Sequence, residues 1–432
     1  MASASIHDAI VVGAGPAGAT AARTLAAAGV RTLLIDRAAF PRYKACGGAI
    51  TTRVLTRFPY LTPAFDTIST RWISKLVLQG PSGQSAELRS ASPAVLTIRR
   101  IEFDALLVSL ARAAGAELLE NTEIHAASED RDSVGLATRD GRTFCGRMVV
   151  AADGVHGVIA RRLGLLRGWR RDALAIDLME ETPTAELRAT HPDALWVGYG
   201  FPASAAGGPG SLTGGYAYVF PKRAHVNVGL GYLSSEYRTA YRGPAYALQQ
   251  GLIELLKRDG LLEGGSRSDC FTPFLIPVGG PIRRTGTART LVAGDAGGFV
   301  NGFSAEGIYY AMVSGDLAAR SIIDVLAKGG AASTGYRTRW RVEIGAELEE
   351  SIVLRDFLFA DKHRIDALVA AAREAAPIVD ALGRWAAGAE RYDTFRTRVL
   401  LRSPLVGIVL GALLLRKRFE ATQAAVFQSE AV

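Results

Sequence analysis

Four apolar residues, Ala9–Val12, run straight into Gly13-Ala14-Gly15-Pro16-Ala17-Gly18, and no other stretch limits the possible folds as tightly. A continuous apolar run of this kind suits a strand buried on both faces. The Ala-rich segment 19–28 that follows combines strong helix propensity with side chains small enough for close packing on a sheet. Gly29 supplies a stop, Arg31–Ile35 reads as the next strand, and Asp36 closes it. The unit is therefore βαβ. Its glycines have separate tasks: Gly13 for a tight turn, Gly15 for backbone approach to a pyrophosphate, Gly18 for helix–strand contact. The positive end of the helix then faces the phosphates. Asp36, 18 residues after Gly18, is placed to accept hydrogen bonds from both ribose hydroxyls and to disfavour a 2′-phosphate. That suits FAD or NAD better than NADP.

A chain of 432 residues holds roughly two to three domains. Its composition, 49% hydrophobic and 21% charged, is that of a globular protein and excludes a disordered one. Cys46, Cys145 and Cys270 are far apart, odd in number and without CxxC spacing. A disulfide framework or zinc site is therefore not expected, and a reducing compartment is. The six histidines are isolated, so no metal site is expected. A G-x-S-x-G elbow and a G-x-x-x-x-G-K-[ST] loop are both absent, which removes the easy hydrolase and NTPase readings. The apolar start lacks a basic leader, so a signal peptide is not expected.

Two further junctions repeat the strand-to-turn theme. Thr290–Ala293 leads into Gly294-Asp295-Ala296-Gly297, followed by Glu306-Gly307-Ile308. A carboxylate there is either a plain helix N-cap or a ligand for the sugar alcohol of a flavin. Met148–Val150 leads into Ala151-Ala152-Asp153-Gly154, which is either an ordinary Asp-Gly turn or part of a flavin pocket. Paired with the βαβ unit so far upstream, these junctions point to a discontinuous domain. The expected architecture is α/β: a Rossmann-like FAD-binding domain over 1–72, 97–171 and 270–335, with an inserted antiparallel β-sheet substrate domain. That insert is expected over 73–96 and 172–269, and a helical C-terminal region over 336–432.

Together the three motifs resemble the p-hydroxybenzoate hydroxylase class of FAD proteins. Phe40-Pro41-Arg42-Tyr43-Lys44-Ala45-Cys46-Gly47-Gly48 is similar to the P-R-x-K-x-C-G-G stretch of the geranylgeranyl reductase family. Tyr216–Lys222, continuing to Asn227–Gly231, resembles that family's Y-x-W/Y-x-F-P-K…N-x-G-x-G segment, and Arg100–Asp104 its R-x-x-F-D helix start. The resemblance implies that Gly13, Gly15, Ala17, Gly18 and Asp36 hold the ADP half of FAD. It implies that Arg42, Gly47, Gly48 and Arg100 lie at the cofactor, and that Asp295, Gly307 and Ile308 hold the ribityl and isoalloxazine end. The chain departs from the family at three places: Gly302 replaces a proline, Ser304-Ala305 replace Thr-Gly, and Gly157 stands where a serine is usual. These put the flavin's immediate surroundings in question.

The activity implied is FAD-dependent reduction of C=C bonds in an isoprenoid chain, with NAD(P)H or a ferredoxin-like protein as electron donor. The alternatives are a monooxygenase or halogenase-like enzyme of the same fold, or a non-catalytic flavin or lipid binder. Cys46 reads either as a small residue filling a gap or as a catalytic residue positioning the alkene. Tyr216, Tyr218 and Phe220 alternate and so share one face of a strand, as core or as an aromatic wall for an apolar substrate. At the other end, residues 395–418 carry Arg396, Arg398, Arg402, Arg416, Lys417 and Arg418 around the apolar run Pro404–Leu415. This is either a buried helix with snorkelling arginines or an interfacial element for an anionic membrane surface, and too short to span one. The expected location is cytoplasmic, with peripheral attachment to the inner face of the membrane. Nucleic-acid binding is not expected.

Overall fold

The computed structural model describes residues 6–201, 214–374 and 376–402. The N-terminal apolar run forms β1 (His7–Val12), the Ala-rich segment forms α1 (Pro16–Ala27), and β2 spans Thr32–Ile35. Pro16 sits in the first turn of α1, where a missing N–H costs nothing. β1 pairs in parallel with β2 on one side and with Thr143–Ala151 on the other. Glu117–Leu119 and Thr290–Val292 add further parallel strands, while Ile124–Glu129 and Val134–Thr138 make the antiparallel flank. The result is a seven-stranded sheet assembled from segments almost 300 residues apart.

The helix Ile308–Lys328 lies against α1, and the two backbones meet closely. A Cβ on Gly315 would run into the backbone of Ala17, so glycine at 315 is what allows this crossing. The helix Arg100–Ala113 completes the layer with buried Phe103, Leu107 and Val108.

A second seven-stranded sheet runs in the order Phe271–Ile276, Ala175–Pro183, His225–Leu233, Gly215–Pro221, Ala194–Tyr199, Lys75–Gln79, Ser85–Arg89. All its pairings are antiparallel except that of Ala194–Tyr199 with Lys75–Gln79. Helix Ala245–Arg258 covers one face with Leu248, Leu252, Ile253 and Leu256. Two expected boundaries move. Phe271–Ile276 belongs to this sheet, because its backbone pairs with Ala175–Glu180, so a division at 270 falls one strand early. Val95–Ile98 straddles the expected boundary at 96 and as a whole joins a small sheet with Ala49–Thr51 and Thr70–Ile73, where Leu96 and Ile98 are fully buried.

From Ala332 onward the described chain is helical, through Ala332–Trp340, Ala346–Phe359, Lys362–Glu374, Ala376–Ala386 and Tyr392–Arg402. Arg53 ties this region to the rest. Its guanidinium is bonded to Glu347 at 2.9 Å and to Tyr310 at 3.0 Å, and stacks on Tyr309 and Trp385. No described helix is long and apolar enough to cross a membrane.

Candidate functional site

The turn after β1 shows why each glycine is needed. Gly13 holds a φ of +96°, and a Cβ there would strike the carbonyl of Ala152. A Cβ on Gly18 would strike the carbonyl of Gly13. Gly15 differs: its Cβ would meet only an Arg42 nitrogen, at 3.8 Å. Gly15 therefore borders open space at the helix N-terminus, lined on its far side by a cation, which is the cradle a pyrophosphate requires. Asp36 accepts the Ala14 N–H at 2.6 Å and the Ala38 N–H at 2.9 Å, so its carboxylate is fixed beside that cradle. Ala17 packs its side chain toward Gly294 and faces the core, leaving its N–H in the first turn as its means of reaching a phosphate.

Two guanidinium groups share one carboxylate. Asp104, fully buried, receives Arg100 Nε at 2.7 Å and Arg100 Nη2 at 2.8 Å, with Arg42 Nη1 at 3.0 Å from the same group. Burial opposes the charge on Arg100, but the Asp104 carboxylate more than offsets it and holds the group firmly protonated. The trio carries a net positive charge next to Gly15, which suits a diphosphate. Lys44 extends the patch; burial and then Arg100 lower its pKa, while Asp295 and Asp104 pull the other way. Asp153 accepts the N–H groups of Val158 and Ile159 at 2.7 and 3.1 Å, and burial raises its pKa. A Cβ at Gly157 would collide with this carboxylate in its present rotamer.

The junction after Thr290–Val292 meets the first one, since a Cβ on Gly294 would lie 2.8 Å from the Ala17 side chain. Thr290–Val292 ends in a 3₁₀ turn, Gly294–Gly297, and the chain then returns to the helix beginning at Ile308. Asp295 lies 3.5 Å from where a Cβ on Gly307 would sit, and burial raises its pKa. Asn301 Oδ1 accepts the N–H groups of Phe303 and Ser304 at 3.1 and 2.9 Å, and Glu306 accepts the Thr51 N–H at 3.2 Å and its hydroxyl at 2.7 Å. Gly302 donates its N–H to Ser351 at 2.8 Å, and a Cβ there would lie 2.9 Å from Ile352. Proline would lose that bond and crowd Ile352, so the C-terminal helix explains this departure. Ala305 has a φ of +54°, the left-handed conformation that the family's glycine adopts freely.

The second sheet closes the site. Tyr216, Tyr218 and Phe220 share a face, with ring centroids 6.3 and 4.5 Å apart, and cluster with Ala45 and Met179. A Cβ on Gly47 would lie 3.0 Å from the Phe220 ring. Gly48 holds a φ of +73° and donates its N–H to Cys46 Sγ at 3.4 Å, while Asn227 holds the Cys46 carbonyl at 3.1 Å. Tyr216 donates to the Ser304 carbonyl at 2.5 Å, joining the sheet to the 301–308 loop. Between them lies a cavity bordered by Asp177, Tyr216, Tyr218, Phe303, Ala305 and Arg355. Sequence reading missed Asp104, Lys44 and Asp177. The available signal for Asp177 was an acid inside the apolar strand segment Ile176–Met179. No metal-binding group of three or more His, Cys, Asp or Glu occurs among the described residues.

Parallel sheet, glycine turn, clamped acid and cationic cradle together define an FAD-dependent oxidoreductase, and the FAD binding domain family matches residues 7–226. The chain is 31% identical to digeranylgeranylglycerophospholipid reductase 2 of Methanothermobacter thermautotrophicus, covering 82% of this chain and 88% of that one. It is 30% identical to menaquinone reductase of Mycolicibacterium smegmatis, over 77% and 79% of the two chains. Among solved structures, a geranylgeranyl bacteriochlorophyll reductase-like protein from Thermoplasma acidophilum shares the fold with a TM-score of 0.74 at 21% identity, covering 91% and 98%. The chain belongs to the geranylgeranyl reductase family of FAD-dependent oxidoreductases.

Proposed function

We propose that the protein reduces C=C bonds in the prenyl chain of a lipid, with FAD as the resident cofactor. The observation that carries this reading is the aromatic-walled cavity between the second sheet and the 301–308 loop. The relatives are named for digeranylgeranylglycerophospholipid and menaquinone, compounds that share a polyprenyl chain and differ in their head groups. Gly13, Gly15, Gly18 and Asp36 would hold the ADP half, Arg42 and Arg100 the diphosphate, and Asp295, Gly307 and Ile308 the ribityl and ring end. When bound and reduced, the flavin supplies a hydride. Tyr216, Tyr218 and Phe220 exclude water and orient the chain, which an unactivated alkene needs because it is a poor hydride acceptor. Cys46, with its backbone clamped by Asn227 and its sulfur by Gly48, positions one end of the alkene. The cavity encloses about 40 Å³. Apolar cavities that take in benzene measure ~150 Å³, so a bound chain requires this one to widen.

Reduced enzyme mixed without oxygen with prenyl diphosphates and prenylated quinones, NAD(P)H and a ferredoxin being tried as donors, should yield products gaining two hydrogens per bond. Product that forms only with oxygen and gains an oxygen atom would overturn the reading in favour of a monooxygenase.

Membrane docking through residues 395–418 is the second part of the reading, and the structure narrows it. Arg396 and Arg398 are each 2.8 Å from a carboxylate, Glu350 and Glu390. The apolar run and Arg416, Lys417 and Arg418 lie outside the described residues. Deleting 403–432 should release the protein from anionic liposomes with flavin retained; continued sedimentation would refute docking.

A further inference from the structure

Asp177 stands in the middle of the strand Ala175–Pro183, opposite Gly231 on one neighbour and Phe274 on the other. It is buried and borders the aromatic cavity. The Tyr218 hydroxyl donates to Oδ2 at 3.0 Å, whereas Oδ1 has no hydrogen-bond partner among the described residues. A buried carboxyl with an orphan oxygen is costly, since each unsatisfied buried acceptor forfeits the hydration it had when unfolded. Such a group, set at the wall of a cavity, calls for an explanation.

The other polar groups around the cavity are committed elsewhere or are too weakly acidic. Tyr216 gives its hydroxyl to Ser304, and Arg355 gives its guanidinium to the Val278 carbonyl at 2.7 Å and to Asp356. Burial pushes the phenols of Tyr216, Tyr218 and Tyr232 above their ordinary range, making them poorer acids.

We propose that Asp177, held by Tyr218, is the proton donor to the alkene carbon at this cavity. The proposal rests on the prenyl-reductase reading. The C=C π bond breaks as one carbon accepts hydride from the reduced flavin and the other accepts the proton of the Asp177 carboxylic acid. Two C–H bonds form, the flavin is left oxidised, and the Asp177 carboxylate regains a proton from water.

The electrostatics agree with the geometry. Burial lifts the Asp177 pKa to about 7, against the Tyr218 hydrogen bond and the Lys44 charge, which lower it. An acid poised near neutrality is matched to proton transfer at physiological pH. Among the described residues, the charged and titratable groups around it are Lys44, Tyr216, Tyr218, Tyr232 and Arg355.

The test uses flavin-loaded enzyme and the variants Asp177→Asn and Tyr218→Phe. Infrared spectra across the pH range should show a protonated-carboxyl band that titrates near neutrality in the parent and is missing from D177N. Prenyl-dependent reoxidation in the parent should fall as pH rises through that midpoint, because the acid form is the active one. D177N should be slower by about a hundredfold or more and lose that limb. Y218F should shift the limb to higher pH, because the phenol hydrogen bond favours the carboxylate form. If D177N fails to retain flavin, Y218F carries the test alone, and an unmoved limb overturns the proposal. A flavin-loaded D177N with the parent's rate and pH profile, or with its carboxyl band, also overturns it. A parent enzyme that no prenyl compound reoxidises sinks the functional reading and the proposal together, whereas an active parent matched by D177N sinks the proposal alone.

Discussion

Arg53→Met removes the cation that the buried carboxylate of Glu347 shares with Glu306. Arg53 is 5% exposed. One nitrogen lies 2.9 and 3.1 Å from the two oxygens of Glu347, and the other lies 3.3 Å from Glu306 and 3.0 Å from the Tyr310 hydroxyl. The guanidinium also sits 3.8 Å from the Tyr309 ring centroid and 4.3 Å from that of Trp385. Breaking a buried ion pair by removing one partner costs about 3–5 kcal/mol, and desolvated cation–π contacts add up to about 2 kcal/mol. Methionine retains part of the packing, so a loss of about 3–5 kcal/mol is expected in urea unfolding followed by circular dichroism. The loss should depend on pH. Burial already raises the Glu347 pKa above 4.5, with Arg53 pulling it back down. Without Arg53 it rises further, so between 4.5 and the new value the folded state binds more protons than the unfolded one. Stability then falls as pH rises, and the deficit of R53M should be smallest near that lower bound and grow toward neutrality. Adding Glu347→Gln should recover part of the loss and flatten its pH dependence. A deficit below about 1 kcal/mol, or one equal at about pH 5 and pH 8, would refute the account of Arg53 as a buried counter-ion.

The glycine turn makes a paired prediction. Gly15→Ala should leave the stability of the flavin-free chain within about 0.5 kcal/mol, because its Cβ meets little protein, yet weaken flavin binding by more than about tenfold in titration calorimetry. Gly18→Ala should fail to accumulate as folded protein, since its Cβ has the Gly13 carbonyl in its way. Ala305→Gly should raise the unfolding free energy by about 1 kcal/mol, relieving a left-handed alanine; no gain in thermal or urea unfolding would mean that the φ of +54° carries no strain.

What could be read in the sequence was local. β1, α1 and β2 are specified by contiguous residues, and so are the Gly294–Gly297 turn and the alternation that puts Tyr216, Tyr218 and Phe220 on one face. What escaped depends on register between distant segments. The Phe271–Ile276 strand has an apolar sequence that suits either sheet, and only its pairing with Ala175–Glu180 decides. Arg100 and Asp104 stand at i,i+4 spacing on a helix, so their pair was accessible, but the arrival of Arg42 from a loop was not. Asp177 is an acid among apolar neighbours, but nothing local singles it out, because its meaning needs Tyr218 across the sheet. Arg53 and Glu347 are separated by 294 positions, and no periodicity links them.

The close crossing of α1 with Ile308–Lys328 has a consequence for synthesis on the ribosome. Part of the buried face of α1 is covered by Arg100–Ala113, but its close backbone crossing waits for that later helix, and Thr290–Val292 supplies the last parallel strand just before it. At translation rates of about 5–20 residues per second, the gap of roughly 300 residues between them lasts roughly 15–60 s. Throughout that interval the nascent chain carries a glycine turn whose helix still lacks the partner that crosses it most closely. The glycine turn and its closest packing partner are thereby joined only late in synthesis.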